Sequence, residues 1–373
     1  MKPSLLPKLL CLALLPLSLT APAQEAPAPA TTPAEPEYVP LEQLRSFYKL
    51  MPQASQKGYT GTRTVGNTGT ALTFGPGKKE LSIGGYRWLL THPVKEDGTG
   101  DLLISKVDMV KLIDPVLRPT YISDRRLVRT VVIDPGHGGY DTGIVSDYVR
   151  EDDFALQLAA ELKELLSKRG YKVVLTHAHN RHLSDQQRIA TANEADAPIF
   201  LSLHLNSGRS DIHGIETYTA VPAAPGEPLR PANKHDAANA ALAFALHSAM
   251  VNNTGARDGA CRRARYSLLN SIDCPAAMIL AGYATNKTEG SRLATAEYRH
   301  QLAEAITRGV STFALAINPD ATLEPAPEAE PEPPRPVKAD PPKPAPTKSK
   351  TTAKPTKRKP QKAPRRNKNK RRR

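Results

Sequence analysis

The 373-residue sequence predicts an α/β protein: a three-layer mixed sheet with helices on both faces, preceded by a small α+β module and followed by a disordered basic tail. Three observations predict it. Between about 127 and 318, short β-rich runs alternate with helical patterns, the order that gives a sheet covered by helices. Residues 38 to 120 show period-two segments broken by glycine and proline. Residues 319 to 373 contain little to bury and turn polybasic.

Taken in order, the chain opens with Lys2 and Lys8 around an apolar stretch, Leu9 to Leu19, followed by Ala21-Pro22-Ala23. That is the pattern of an export signal over 1–23 with a small-x-small cleavage site, so a periplasmic, extracellular or cell-wall location is expected. Cys11 lacks the residue order of a lipid-anchored leader. No later apolar run reaches the roughly 18 residues that span a bilayer, which excludes a multi-span membrane protein. Residues 24–37, QEAPAPATTPAEPE, read as an extended linker.

In the 38–120 module, VPLEQLRSFYKL is a short helical pattern, while ALTFG, ELSIGGYRWLL and DLLIS read as strands separated at Gly75-Pro76-Gly77 and Asp97-Gly98. In the 127–318 domain the expected strands are Val131 to Asp134, Tyr171 to Thr176, Ile199 to His204, Ile215 to Ala220 and Ala277 to Tyr283. The expected helices are Asp152 to Arg169, Asp236 to Asn252 and Thr295 to Ile317. Phe154, Leu158, Leu162 and Leu165 share one face of the first helix.

The formal charge of +14 suggests a nucleic-acid binder until it is located. Residues 335 to 373 hold 17 Lys and Arg against one acid, Asp340, so the rest of the chain is near neutral. The tail has no aromatic residue on which bases could stack. For an exported chain its expected partners are anionic cell-surface polymers; the alternative is a solvated tail that maintains solubility. Cys261 and Cys274 either pair, contributing about 3 kcal/mol across so short a loop, or remain buried thiols.

The chemistry lies where strands end. DPGHGGYDTG follows the first strand, with glycines on both sides of His137 that allow a sharp turn. Glu151 begins a helix and His204 ends IFLSLH. Two imidazoles and a carboxylate are a zinc set with a fourth position left open. Singly, each has another use: Glu151 favours a helix N-terminus, and His204 fits a core.

VVIDPGHGGYDTG, Glu151 ahead of LQLAAEL, RIATANEADAPIFLSLHLNSG, GIETY and CPAAMILAGYATN, in that order, resemble the motifs of the zinc-dependent N-acetylmuramoyl-L-alanine amidases over about 131–315. The resemblance implies Zn2+ held by His137, Glu151 and His204. It also implies peptidoglycan as substrate, cut at the amide between the lactyl group of N-acetylmuramic acid and L-alanine. The 38–120 piece resembles the small N-terminal module of copper amine oxidases. Copper does not carry over, since His92 is its only candidate ligand.

Two positions depart from the family. Its proton-transferring glutamate, in the last strand motif, is Leu280 here, and an aliphatic side chain moves no proton. Glu216 is the candidate substitute base, with a structural or substrate-contacting role as the alternative. His177 stands in place of the usual arginine, and with His179 and His182 it is expected to form an exposed cluster rather than a second metal site. Arg188 and Asn193 match positions common in that family and are expected in helix packing and loop fixing, without chemistry of their own. Leu280 leaves a second reading, a pseudo-amidase that binds peptidoglycan or regulates another hydrolase.

Overall fold

The computed structural model describes residues 35–53, 62–67, 70–123, 125–224 and 226–321. The expected export signal, residues 24–34 of the linker and the tail from 322 lie outside the described residues.

The N-terminal piece forms β1 (Tyr38–Pro40), α1 (Leu41–Tyr48), β2 (Met51–Gln53), β3 (Arg63–Gly66), β4 (Ala71–Phe74), β5 (Glu80–Ile83), β6 (Tyr86–Leu89), β7 (Lys95–Glu96) and β8 (Leu102–Ser105). ELSIGGYRWLL becomes the β5–β6 hairpin because Gly84 and Gly85 take φ of +57° and +90°, the backbone a two-residue turn needs. Beyond β8, α2 (Lys106–Asp108) runs through a π-helical turn, Met109–Ile113, into α3 (Asp114–Leu117).

The second piece supplies β9 (Thr130–Pro135), α4 (Glu151–Lys168), β10 (Lys172–Leu175), α5 (Asp185–Glu194), β11 (Ile199–Asn206), β12 (Ile215–Ala220), α6 (Asp236–Thr254), β13 (Asp258–Ala264), α7 (Ser267–Ser271), β14 (Ala276–Tyr283), α8 (Lys287–Leu293) and α9 (Ala296–Ile317). The five strands and three helices expected here are present within a few residues of their limits. Strand β13 and helices α5, α7 and α8 were not expected. β13 reads DGACRRA, without period-two alternation, and becomes a strand because it is paired on both sides.

The mixed α/β architecture follows the expectation. One 11-stranded sheet has the order β10-β9-β11-β14-β12-β13-β6-β5-β4-β3-β2, and β1-β8-β7 form a second, smaller sheet. β10, β9, β11 and β14 are mutually parallel, β12 runs antiparallel to β14, and β13 is parallel to both β12 and β6. Cys261 pairs with Trp88, so the meander of the first piece continues the sheet of the second.

That junction is held by polar contacts between residues far apart in sequence. Arg263, its side chain only 7% exposed, donates from Nη1 to Asp108 Oδ1 at 3.1 Å and from Nη2 to the Lys111 carbonyl at 2.7 Å. Asp108 also accepts the backbone N–H groups of Thr91 and His92. Asp258 accepts the Arg87 N–H and faces the buried His247 ring at 2.9 Å. Such charges are tolerated inside only when paired and hydrogen-bonded.

Cys261 and Cys274 are both free and buried. Cys261 packs in the core of the N-terminal piece and Cys274 beneath α7. Burial pushes the Cys274 thiol up to about 12 and the Cys261 thiol well above its ordinary value, so both are inert thiols.

Candidate metal centre

His137 is placed by backbone that few residues adopt. Its φ is +61°, and Gly138 and Gly139 follow at +121° and +67°. A β-carbon on Gly136 would fall on the His204 ring, and one on Gly143 would overlap His137 and Glu151. Glycine at these two positions is thus the condition for the three side chains to meet. Left-handed backbone at a non-glycine residue costs free energy and persists where surrounding contacts enforce it. Arg188, buried, enforces it here: it donates to Asp134 Oδ1 at 2.6 Å, to the Pro135 carbonyl at 2.7 Å and to the His137 carbonyl at 2.8 Å. Asn193 ties α5 to the end of α7 through the Ser271 carbonyl and the Asp273 N–H. Arg188 thus fixes the His137 loop and Asn193 joins two helices, within the loop-fixing and helix-packing roles expected of them.

β9 delivers His137 just past its carboxyl end, β11 delivers His204, and the first turn of α4 delivers Glu151. One potential ligand atom from each lies within 4.8 Å of the others, the sole such group found among the described residues. Glu151 is 2% exposed. Its Oε1 lies 2.9 Å from His204 Nδ1 and 3.2 Å from His137 Nε2, and also accepts the Leu205 N–H. Its Oε2 accepts the Ile144 N–H. Burial opposes its ionisation, but His137 and His204 prevail and hold the carboxyl well below the usual range.

On the outer side of His137, Nδ1 lies 2.9 Å from both carboxylate oxygens of Asp141. A proton on Nδ1 donated to Asp141 leaves the Nε2 lone pair facing inward, the arrangement in which an outer carboxylate fixes the tautomer of a metal-binding histidine. Burial alone would lower the His137 pKa; Glu151 and Asp141 outweigh it and raise it to about 9. Two imidazoles and one buried carboxylate, converging in an open cleft, fit a zinc ion with a free coordination position.

The cleft has a volume of about 550 Å3. Its polar end is the His137, Glu151 and His204 group, and Leu183, Leu268, Met278 and Leu280 supply its apolar wall. Leu280 is paired in register with His204 on β11 and with Glu216 on β12. An aliphatic side chain therefore stands beside His204.

Glu216 is brought into the neighbouring strand but not to the cleft lining. It is 3% exposed and its carboxylate is occupied. Oε2 accepts from Asn206 Nδ2 at 3.1 Å and the Tyr218 hydroxyl at 2.8 Å; Oε1 accepts from the Tyr283 hydroxyl and from Arg262, both at 2.9 Å. Burial, then the bond to Glu216, push the Tyr283 hydroxyl up to about 12 and raise that of Tyr218 as well. Asn206, in contrast, does line the cleft, and nothing in residue types alone distinguished it.

The three loop histidines do not form one exposed cluster. His179 and His182 are exposed, but His177 is 4% exposed because the glycine loop packs over it, and burial followed by nearby Arg188 lowers its pKa. The exposed-cluster expectation is corrected for His177. His182 lines the cleft and stacks on Tyr140.

Residues 131–312 match the family described as N-acetylmuramoyl-L-alanine amidase. This segment belongs to that family. The amidase domain is 28% identical over 186 residues to the amidase LytC of Bacillus subtilis, a match covering 49% of this chain and 35% of LytC. It is 27% identical over 186 residues to YqiI of the same organism, covering 50% of this chain and 84% of that protein. Among solved structures, an N-acetylmuramoyl-L-alanine amidase from Clostridium difficile 630 is 30% identical, with 50% of this chain and 97% of that one covered and a TM-score of 0.44. The chain thus spans about a third of LytC and nearly all of the solved amidase, and the N-terminal piece lies outside the matched segment. No helix among the described residues is long and apolar enough to cross a membrane.

Proposed function

We propose that the protein is an exported, zinc-dependent N-acetylmuramoyl-L-alanine amidase. It would hydrolyse the amide joining the lactyl group of N-acetylmuramic acid to the L-alanine of the stem peptide. The observation that carries this reading is the convergence of His137, Glu151 and His204 at an open cleft inside the matched segment.

Zinc, when bound by these three, supplies Lewis-acid polarisation of the scissile carbonyl and activation of water. The chain's own residues do the rest. Asp141 fixes the His137 ring, and Arg188 holds the loop that carries it. Asn206, held by Glu216, presents its amide beside the polar end. Leu280 and Met278 form a dry wall there, which strengthens electrostatic interactions nearby. What Leu280 does not supply is a proton acceptor. Glu216 is the proposed substitute, and to accept a proton it would have to release one of its four donors.

The test is digestion of purified sacculi by the zinc-loaded protein. Stem peptides with a free L-alanine amino group are expected, with both zinc and release lost in His137→Ala. A zinc-loaded, folded wild type that releases no such peptide would overturn the reading.

The polybasic segment 335–373 is proposed to hold the enzyme on anionic cell-surface polymers. Its removal should weaken sacculus binding and flatten its salt dependence, since fewer counterions are displaced. The N-terminal piece, by its likeness to the copper amine oxidase module, is proposed as a non-catalytic accessory to the amidase domain.

A further inference from the structure

We propose that Tyr140, with His182 behind it, is the glycan platform of this cleft. In this arrangement the outward face of the Tyr140 ring stacks on an N-acetylhexosamine ring of the strand that bears the scissile amide. The inference deepens the amidase reading and rests on it for the identity of the sugar.

Tyr140 lies three residues beyond His137 and is 82% exposed, the most exposed large hydrophobic side chain among the described residues. It nevertheless sits on a fixed base. Gly139 donates its N–H to Asn180 Oδ1 at 2.5 Å, and Asn180 Nδ2 in turn donates to Asp152 at 3.2 Å. A β-carbon on Gly138 or Gly139 would strike the backbone of Arg181 or His182, so the two loops are in close contact. On that base the Tyr140 ring stacks on the His182 ring, centroids 4.2 Å apart and planes at 29°. One ring face rests on an imidazole that itself lines the cleft, while Tyr140 stands outside the lining residues with most of its surface in solvent.

An exposed aromatic ring held this way is pre-organised, so little side-chain freedom is lost when something binds to it. Its face carries partial negative charge, which attracts the polarised C–H groups of a pyranose face. Position in the chain agrees with chemistry, since Tyr140 follows His137 on the same loop. In the muramoyl substrate three bonds join the scissile carbonyl carbon to the sugar ring, so a carbonyl at the His137, Glu151 and His204 group keeps the sugar close to those residues and to the loop that carries His137 and Tyr140. Other lining residues, among them Tyr266 and Ser267, which is bonded to Asp185, remain for the stem peptide.

The test is equilibrium binding of a tetramer of β-1,4-linked N-acetylglucosamine, which contains no amide of the scissile type and is read without turnover. The zinc-loaded wild type should bind it, Tyr140→Phe should bind within about threefold, and Tyr140→Ala should bind about tenfold more weakly with an unchanged melting temperature. Equal binding by wild type and Tyr140→Ala overturns the platform, as does absence of binding to wild type or a loss in Tyr140→Phe equal to that in Tyr140→Ala. The two readings fail separately. Tyr140-dependent tetramer binding by a protein that releases no stem peptide removes the amidase reading alone. Release of stem peptide with tetramer binding indifferent to Tyr140 removes the platform alone.

Discussion

The two faces of β11 carry different side chains. Ile199, Leu201, Leu203 and Leu205 enter the core under α4, α6 and α9, which are 18, 19 and 22 residues long. Phe200, Ser202, His204 and Asn206 alternate with them and face α5 and α7, only 10 and 5 residues long. The first face is sealed, and every aliphatic side chain on it is buried. The second is covered by too little helix to close, and the cleft opens beside the N-terminal ends of α5 and α7. One face accounts for stability and the other for chemistry, with a single strand serving both because its side chains alternate.

The largest effect that would sharpen this contrast is at Leu280, an apolar residue of the open face. Leu280→Glu should raise release of stem peptide by up to about 10² to 10⁴, the usual worth of a placed proton-transfer group. Product analysis under zinc-replete conditions checks it, with Glu216→Ala alongside. A wild type that cleaves well while Glu216→Ala is inactive and retains zinc would assign the base to Glu216. An unchanged rate in folded, zinc-loaded Leu280→Glu would instead show that this position lies outside the proton path.

On the sealed face, Phe313→Ala in α9 should cost about 3–5 kcal/mol of stability, because Phe313 is 1% exposed in the main core. Chemical denaturation measures this, and the folded fraction should retain full zinc. Loss of zinc from the folded fraction would break the division of labour between the faces.

The smallest effect is in acid. Burial would raise the Asp258 pKa, but His247 and the bonded N–H groups prevail and lower it. A carboxyl lowered on folding adds stability above its unfolded pKa, about 3.9, and that stability is lost as pH falls through the folded value. Asp258→Asn should therefore reduce stability at neutral pH and flatten its decline below about pH 4. A decline in Asp258→Asn as steep as in wild type would remove Asp258 from the acid response.

The His137, Glu151 and His204 group was legible in the sequence because its requirements are local. A histidine between glycines, a glutamate opening an amphipathic helix and a histidine at the end of an apolar strand each announce their backbone setting, and periodicity places strands and helices around them. The hairpin at Gly84-Gly85 was legible for the same reason. β13 was not, since its seven residues lack alternation and gain a strand's hydrogen bonds only from β12 and β6. Nor could residue types show that Arg263 would be neutralised by Asp108, 155 positions earlier, that Glu216 would be held by four donors, or that Tyr140 would rest on His182. Local backbone preference and the spacing of apolar side chains are properties of a short stretch of chain. Which polar groups satisfy one another inside a low-dielectric core, and which face remains uncovered, depends on the partners that tertiary packing brings to each strand.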